Sequence, residues 1–168
     1  MYITGRIKEL IITAGGENVP PVLIESMIKE QLPAVSNCVV IGDKRKYLTC
    51  LLTLRAEVDP NTGVSLEPLL DAAIRAAEEA GSTAKTVSEA KRCPKFLQMI
   101  QDGIDRYNNE NAISRAQHIR RWAILDKDLS IAGGELTPTM KVRRKQVDAI
   151  HARAIQELYP EDTIPARL

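Results

Sequence analysis

The feature that most constrains the fold is the stretch NCVVIGDKRKYLTCLLTLR, residues 37–55, in which two runs of β-forming residues flank a short polar segment. The first run ends at Ile41, residues 42–46 contain one glycine, and the second run places Thr49 and Thr53 between larger apolar residues. Two such runs joined by a short glycine-containing segment predict a β-hairpin. Because side chains alternate between the faces of a strand, we expect one face of this hairpin to lie on the core.

Helical spacing marks four further segments, each with apolar residues three or four positions apart. Their apolar sides consist of Val22, Ile24, Met27, Ile28 and Leu32 in the first, Leu66, Leu69, Leu70, Ala73, Ile74 and Ala77 in the second, Phe96, Ile100, Ile104 and Tyr107 in the third, and Val147, Ile150, Ala154, Ile155 and Leu158 in the fourth. We expect the first helix to begin at Pro20-Pro21 and stop at Pro33, because proline suits a first turn but not a helix interior. Ser65 is expected to cap the second, and the fourth is expected to span residues 143–159.

The remaining segments predict further strands and loops. Residues 2–13 are expected to be extended, with residues 10–13 (LIIT) as a buried strand, and a fourth strand is expected at residues 122–125. Residues 82–92 form a polar connection. Together these elements predict an α+β domain, a small antiparallel or mixed sheet with helices packed on it.

Charge and composition exclude several classes of function. The 23 lysines and arginines nearly balance the 22 aspartates and glutamates, and the chain has only one Trp and one Phe. A broad nucleic-acid interface normally needs a basic face and aromatic rings for stacking, so we expect no nucleic-acid partner. The three cysteines show no CxxC spacing, which favours a reducing compartment over a disulfide or zinc framework. No leader and no apolar run of about 18 residues is present, so we expect no transmembrane segment here.

Motifs of self-contained enzymes are also missing. The sequence contains no GxxxxGK[ST], GxGxxG, HExxH or GxSxG pattern. His118 and His151 stand apart from any recognisable partner and are interpreted as surface or packing residues. Cys38, Cys50 and Cys93 are interpreted as small core residues.

One basic segment stands out, GGELTPTMKVRRK at residues 133–145. Two glycines and one proline precede Lys141, and the basic residues after it lie at a predicted helix N-terminus. Positive charge is unfavourable there, because the helix dipole attracts anions to that end. The cluster therefore favours a local phosphate or carboxylate contact, although a lysine on a solvated surface is the simpler reading.

Two stretches about 120 residues apart resemble the C-terminal domain of the adenylate-forming superfamily, which includes acyl-CoA synthetases, firefly-type luciferases and peptide-synthetase adenylation domains. The first, YITGRIKELIITAGGENVPPVLIE, resembles the family's hinge, strand, glycine turn and following helix. The second, GGELTPTMK, resembles its closing lysine segment, with Lys141 in the lysine's place. Together with the segment HIRRWAIL between them, these stretches are most similar in sequence to long-chain fatty acyl-CoA synthetases of the bubblegum type.

The resemblance implies a two-step ligation in which a fatty acid and ATP form an acyl-adenylate and CoA then displaces AMP. Lys141 would neutralise charge in the first step, and Lys8 would be the hinge about which the domain rotates before the second. Arg6 would bind nucleotide. The glycine turn Gly15, Gly16, Glu17 and Asn18 would line the CoA channel, and Arg143, Arg144 and Lys145 would contact CoA phosphates.

The same resemblance implies a domain layout and partners. Residues 1–9 would form the hinge and first strand, residues 10–159 the mobile lid, and residues 160–168 a tail. The partner would be the chain's own N-terminal adenylation domain, absent here, so the fragment is expected to be inactive alone. Mg²⁺ would bind outside it, and no metal site is expected within it. The expected location is cytoplasmic or peripheral on the cytosolic face of the endoplasmic reticulum.

Two alternatives remain open from the sequence. The chain could be a free-standing module that binds a partner or an acyl carrier without catalysis. It could also belong to a luciferase-like or peptide-synthetase protein, although the lysine segment favours fatty acids.

Overall fold

The computed structural model describes residues 10–160, which form three small sheets and six helices. In chain order the strands are β1 Ile11–Ile12, β2 Asn18–Val19, β3 Val35–Ile41, β4 Leu48–Leu54, β5 Ala56–Val58, β6 Ser65–Leu69 and β7 Ile119–Ile124. The helices are α1 Pro21–Gln31, α2 Asp71–Glu79, α3 Val87–Arg92, α4 Pro94–Glu110, α5 Arg144–Ile150 and α6 Ala152–Glu157, with a 3₁₀ turn at Arg115–Gln117. The α+β class is confirmed.

The predicted hairpin is confirmed as the antiparallel pair β3–β4. Strand β7 adds to the other edge of β4 in parallel orientation, which gives a mixed sheet of order β3-β4-β7. The expectation that only one hairpin face is buried is wrong, since every residue of β4 is buried. Its second face carries Thr49, which donates to the Tyr159 hydroxyl at 3.1 Å, and Thr53, which donates to Asp128 at 2.6 Å. The threonines that alternate along β4 therefore mark polar positions on a face that other residues cover, not a face exposed to solvent.

Two apolar clusters lie on opposite faces of this sheet. The larger one joins β3 and β4 to α1 and α4, and the smaller one joins Val39, Ile41 and Leu51 to the C-terminal helices. The predicted stripe of α4 is confirmed, because Phe96, Ile100, Ile104 and Tyr107 are all fully buried. The C-terminal segment is thus held on the sheet by its own apolar cluster.

Helix α1 begins at Pro21 and ends before Pro33, as predicted. Ile24, Ile28 and Leu32 are buried, but Val22 is 40% exposed and lies off the buried side. Strand β1 is shorter and less buried than expected, since its Ile12 is 51% exposed. The predicted extended residues 2–9 lie outside the described residues.

Two predicted boundaries in the middle of the chain are wrong. Ser65 does not cap a helix but begins β6, which pairs with β5, and the helix starts at Asp71. Pro68 is tolerated in this short two-stranded sheet because an edge strand does not require every N–H to donate, and proline has no N–H. Residues 87–92 are not a polar connection but α3, capped by Thr86, whose hydroxyl accepts from the Glu89 N–H at 3.1 Å.

The predicted helix over residues 143–159 is interrupted. Helices α5 and α6 meet at His151, whose backbone angles (φ −107°, ψ 26°) are not helical. Val147 and Ile155 are buried on either side of the break, whereas Ile150 is 49% exposed.

Strand β7 also differs from prediction, because it begins at Ile119 rather than Trp122. Pairing with β4 extends it beyond its most β-prone residues.

Candidate functional site

The segment that carries Lys141 is a narrow loop, residues 136–142, which we call the lysine loop. Its two ends are joined by an antiparallel bridge between Leu136 and Val142. Inside the bridge, the Thr137 N–H donates to the Lys141 carbonyl at 2.8 Å, and the Met140 N–H donates to the Thr137 carbonyl at 2.8 Å. The loop is therefore closed by backbone hydrogen bonds at its ends and at its tip.

Threonine side chains add to these backbone bonds. The Thr137 hydroxyl accepts from the Lys141 N–H at 3.0 Å and lies 3.0 Å from the Thr139 hydroxyl. Met140 has a positive φ of 69°, which a side chain adopts only at a conformational cost. Lys141 is exposed, and within residues 10–160 its ammonium forms no hydrogen bond or ion pair. The loop fixes the backbone of Lys141 and leaves its amine pointing away from the core.

The base of the lysine loop is built around Glu135, a buried residue with 7% exposure. Its carbonyl accepts from the Arg143 N–H at 2.8 Å, and its carboxylate accepts from the Ser130 N–H at 3.1 Å. Gly134 makes the preceding turn with a φ of 84°. At Gly133 an added Cβ would lie 2.9 Å from the Glu135 carboxylate, so glycine is required there for space. Gly133 and Gly134 therefore form the turn that precedes Glu135.

The other oxygen of Glu135 lies 2.5 Å from Nε2 of His151. Both side chains are largely buried, at 10% and 19% exposure. The interpretation of His151 as a residue without a partner is therefore wrong. The two residues are 16 positions apart and lie on different elements, so neither a motif nor a periodic pattern indicated the contact.

The basic cluster after the loop is divided between core and surface. Arg144 forms a bidentate pair with Glu25 of α1, at 2.8 and 2.9 Å, and Glu25 also accepts from the Val40 N–H at 2.7 Å. The Arg144 guanidinium is thus paired with Glu25, and it also lines the cleft described below. Arg143 and Lys145 are exposed. The expected CoA contact stays a prediction for all three residues.

The predicted glycine turn, residues 15–18, lies in the connection between β1 and β2. The Gly16 N–H donates to the Thr13 carbonyl at 2.9 Å, and the Glu17 N–H donates to the Thr13 hydroxyl at 3.2 Å. Gly16 has a φ of 86°, whereas an added Cβ at Gly15 would meet only the Thr13 hydroxyl, at 3.9 Å. Gly15, Gly16, Glu17 and Asn18 are all exposed, and Asn18 already belongs to β2. Only Gly16 is glycine for a reason visible in the local fold.

A cleft of about 530 Å³ lies between β1, β3 and the C-terminal helices. Arg144, Lys145 and Asp148 line it from α5, together with Asp43 and Arg45 from the β3–β4 turn. Partial withdrawal of the Asp148 carboxyl from water raises its pKa, while the nearby Arg144 and Arg45 act in the opposite direction. The cleft therefore carries mixed charge, and its arginines are balanced by carboxylates.

The cysteines behave differently from one another. Cys38 and Cys50 are buried core residues, as interpreted, and burial raises the pKa of the Cys38 thiol. Cys93 is only half-buried, at the start of α4. Its pKa is lowered by contact with the Ser82 hydroxyl, 3.1 Å away, and by backbone N–H groups of the helix. All three are free thiols.

Arg6 and Lys8, predicted to bind nucleotide and to act as the hinge, lie outside the described residues. Within residues 10–160, no three His, Cys, Asp or Glu side chains are grouped so as to hold a metal ion. In the same part of the chain, no helix is both long and apolar enough to cross a membrane.

A family model, the AMP-binding enzyme C-terminal domain, matches residues 8–93, about half of the chain. The chain belongs to this family. The match covers the glycine turn, α1 and the β3–β4 hairpin, and it ends just before α4. Membership agrees with the resemblance that the two sequence stretches indicated.

Curated relatives extend the similarity over nearly the whole chain. The long-chain-fatty-acid–CoA ligase ACSBG1 of Bos taurus is 50% identical over 163 residues, which are 96% of this chain and 22% of that protein. The corresponding human protein shows the same identity and coverage, and ACSBG2 of Xenopus laevis is 46% identical over 98% of this chain and 22% of its own length. The chain therefore spans about a fifth of the length of these relatives.

Solved structures share the fold at low sequence identity. The adenylation domain of a carboxylate reductase from Mycobacterium chelonae covers 92% of this chain and 20% of its own, with a TM-score of 0.63 and 17% identity. The adenylation domain of a carboxylic acid reductase from Segniliparus rugosus, solved with AMP and a co-purified carboxylic acid, covers 93% and 20%, with a TM-score of 0.62 and 18% identity. The similarity shows that this chain and these structures share a fold.

Proposed function

We propose that this chain is the mobile C-terminal domain of a long-chain fatty acid–CoA ligase. The ligase would convert a fatty acid, ATP and CoA into acyl-CoA, AMP and pyrophosphate, and this domain would supply Lys141 to the first half-reaction. The proposal draws on the curated relatives, which are ligases of this kind and match nearly the entire chain. Its partner would be the ligase's own N-terminal adenylation domain.

The observation that carries the proposal is the exposed Lys141 on a hydrogen-bonded loop. When a carboxylate attacks the α-phosphate of ATP, negative charge accumulates where two anions already repel each other. An ammonium about 4 Å away stabilises a unit charge by roughly 4 kcal/mol at an effective dielectric of about 20. Positioned charge of this kind is often the largest single contribution to catalysis. Lysine suits the task because its long stem reaches beyond its own domain.

In the second half-reaction, the domain would rotate about Lys8, withdraw Lys141 and bring the glycine turn to the CoA channel. A hinge of this type concentrates the backbone change in one or two residues. Gly15 and Gly16 would leave room for the thiol arm because they carry no side chain. Arg143, Arg144 and Lys145 would meet CoA phosphates, with Arg144 also paired to Glu25.

In this proposal, Mg²⁺ would bind outside this domain. In the ligase, Mg²⁺ bound with ATP would offset phosphate charge. Lys141 would act on the same oxygens from the opposite domain.

The test is Lys141→Ala in the full-length ligase that carries this chain. Removing one positioned charge donor is expected to lower the rate of adenylate formation about 100- to 1,000-fold. Fatty-acid-dependent pyrophosphate exchange measures that step, and acyl-CoA formation from supplied acyl-adenylate measures the other, which should be largely retained. Lys127→Ala is the matched control, since Lys127 is also exposed but lies outside the lysine loop.

Equal loss of both half-reactions would contradict the assigned role of Lys141. Pyrophosphate exchange by the ligase with and without this segment separates the proposal from the alternative of a partner-binding module. A catalytic domain should be required for exchange, whereas a recruiting module should not. Full exchange without the segment would favour the module.

A further inference from the structure

We propose that Glu135 and His151 are positioning residues that hold the lysine loop at the angle needed for adenylation. The inference rests on the proposed role of Lys141 and adds two residues to it. Neither side chain is expected to touch the substrates, because both are largely buried at the base of the loop. Their effect would pass through the backbone of residues 135–143.

Glu135 links three segments by hydrogen bonds, in addition to the bond from the Leu136 N–H to the Ser130 carbonyl at 3.2 Å and the bridge between Leu136 and Val142. Its backbone N–H donates to the Ser130 carbonyl at 3.1 Å, and its carbonyl accepts from Arg143 on the far side of the loop. One carboxylate oxygen accepts from the Ser130 N–H, and the other contacts His151. The residue at the loop's entrance is thereby fixed to the segment before it, to the loop's exit and to the C-terminal helices.

His151 lies at the interruption between α5 and α6 and contacts Glu135 from there. Val147 and Ile155 anchor α5 and α6 in the same apolar cluster, which also contains Leu136 of the lysine loop. Hydrogen bonds to Ser130 join the base of the loop to the segment before it, and the contact between Nε2 of His151 and the carboxylate joins the base to the C-terminal helices. This contact adds a directional constraint to the apolar packing, since hydrogen bonds weaken steeply with misalignment.

The charge state of the imidazole does not decide whether this contact forms. A protonated His151 would make an ion pair with Glu135, and a neutral ring with its hydrogen on Nε2 would donate a hydrogen bond. Either form satisfies the buried carboxylate oxygen. Removing the ring leaves that oxygen without this partner, which favours a shifted Glu135 and a reoriented loop.

Small displacements at this distance from the reaction have large effects. Lys141 lies six residues from Glu135, and its amine sits at the end of a four-carbon stem. A small tilt at the base of the lysine loop therefore displaces the Lys141 ammonium by a larger distance. A misplacement of about 1 Å can reduce a reaction rate about 100-fold. A mutation at the base of the lysine loop is therefore expected to slow the adenylation step and to leave substrate binding nearly unchanged.

The experiment compares His151→Ala, His151→Gln and Glu135→Gln in the full-length ligase. We expect His151→Ala to lower the kcat of adenylation about 10- to 100-fold with little change in KM, because the loop is misaimed rather than removed. His151→Gln, which can still donate to Glu135, should recover most of that loss. Thioesterification of supplied acyl-adenylate should change little in all three variants. Arg153→Ala, an exposed residue on α6, is the matched control and should behave as wild type.

A double-mutant cycle with Lys141→Ala distinguishes positioning from general structural damage. If His151 acts through Lys141, then adding His151→Ala to Lys141→Ala should cause no further loss of adenylation. Additive losses, equal losses in both half-reactions, or an unchanged rate in His151→Ala would each overturn the inference. If the alanine variant unfolds, His151→Gln and Glu135→Gln are combined with Lys141→Ala in the same cycle. The additivity of their losses then decides the inference.

The outcomes separate this inference from the proposed function. Unchanged adenylation in Lys141→Ala would refute the role of the lysine itself. Loss of adenylation in Lys141→Ala together with full activity in His151→Ala would refute only the positioning role. Faster hydrogen exchange of residues 137–142 in His151→Ala, without a change in α4, is the expected structural signature.

Discussion

The glycine turn and the lysine loop are both exposed connections that reverse the chain, but they are held in different ways. The glycine turn is fixed by backbone bonds, one of which runs from the Ala14 N–H to the Arg45 carbonyl at 2.9 Å, and by the hydroxyl of Thr13. The lysine loop has comparable backbone bonds and, in addition, a buried base in which Glu135 contacts His151. Both connections are thus tied to distant elements, but the lysine loop, which would direct a charge, is also held by this contact between two largely buried side chains.

The largest effect on stability is expected from Arg144→Ala, because the lysine-loop side depends on a buried ion pair. Removing Arg144 leaves the Glu25 carboxylate without its bidentate partner, and breaking such a pair typically costs about 3 kcal/mol. Urea unfolding monitored by circular dichroism measures this free energy. Arg143→Ala, at an exposed neighbouring position, should change it by less than about 0.5 kcal/mol.

Equal changes in the free energy of unfolding for Arg144→Ala and Arg143→Ala would break the comparison. The exit of the lysine loop would then be no better anchored than an ordinary surface loop. Replacement of both Glu25 and Arg144 by apolar residues sharpens the test. The double variant should be less destabilised than Arg144→Ala alone, because it leaves no unpaired buried charge.

A smaller effect is expected on the glycine-turn side. Gly16→Ala should cost about 1 to 2 kcal/mol of stability, because a left-handed backbone crowds Cβ. Gly15→Ala is its matched control and should cost less than about 0.5 kcal/mol, since the added Cβ meets nothing closer than 3.9 Å. Thermal melting of the two variants measures the difference.

The same pair sharpens the functional side of the comparison. Gly15→Ala leaves the fold nearly unchanged, so any loss of thioesterification with adenylation intact reports on the proposed CoA channel. Normal rates in both half-reactions would remove Gly15 from that channel. Gly16→Ala cannot make this distinction, because its backbone strain affects the turn itself.

The smallest effect is expected from Asp148→Asn beside the ion pair. The pKa of Asp148 is raised in the fold by partial desolvation, so folding favours its neutral form. The resulting stabilisation is fully present below the ordinary value of 3.8 and is lost as the pH rises through the folded pKa. Asp148→Asn should therefore unfold at slightly higher urea than wild type at pH 7, and the difference should shrink as the pH falls toward 3.8. A difference that grows at low pH would contradict the sign of this shift.

The sequence predicted best where the signal was local. The β3–β4 hairpin follows from a short polar turn between two β-forming runs, and the stripe from Phe96 to Tyr107 follows from helical spacing. Family membership followed from two stretches far apart in the chain, and the family match confirms it. The cap of α3 has a local signal as well, since Thr86 and Glu89 stand in the spacing of a capping box.

Elsewhere the local signal was misleading. Ser65 and the leucines after it fit a helical stripe, yet pairing with β5 makes this segment a strand. Residues 143–159 also fit one continuous helix, yet the chain breaks at His151. In both places tertiary contacts outweigh intrinsic preferences, which amount to less than about 1 kcal/mol per residue for ordinary amino acids.

By itself the sequence determined the hairpin, the buried helix stripe and the family, because each is encoded in residues close together or in a recognisable order. Only the tertiary structure decided that Arg144 pairs with Glu25 and that His151 meets Glu135. The partners of Arg144 and His151 lie 119 and 16 positions away, on other elements. A hydrogen bond between such residues depends on where packing brings their backbones, and no periodic pattern in the chain records that position.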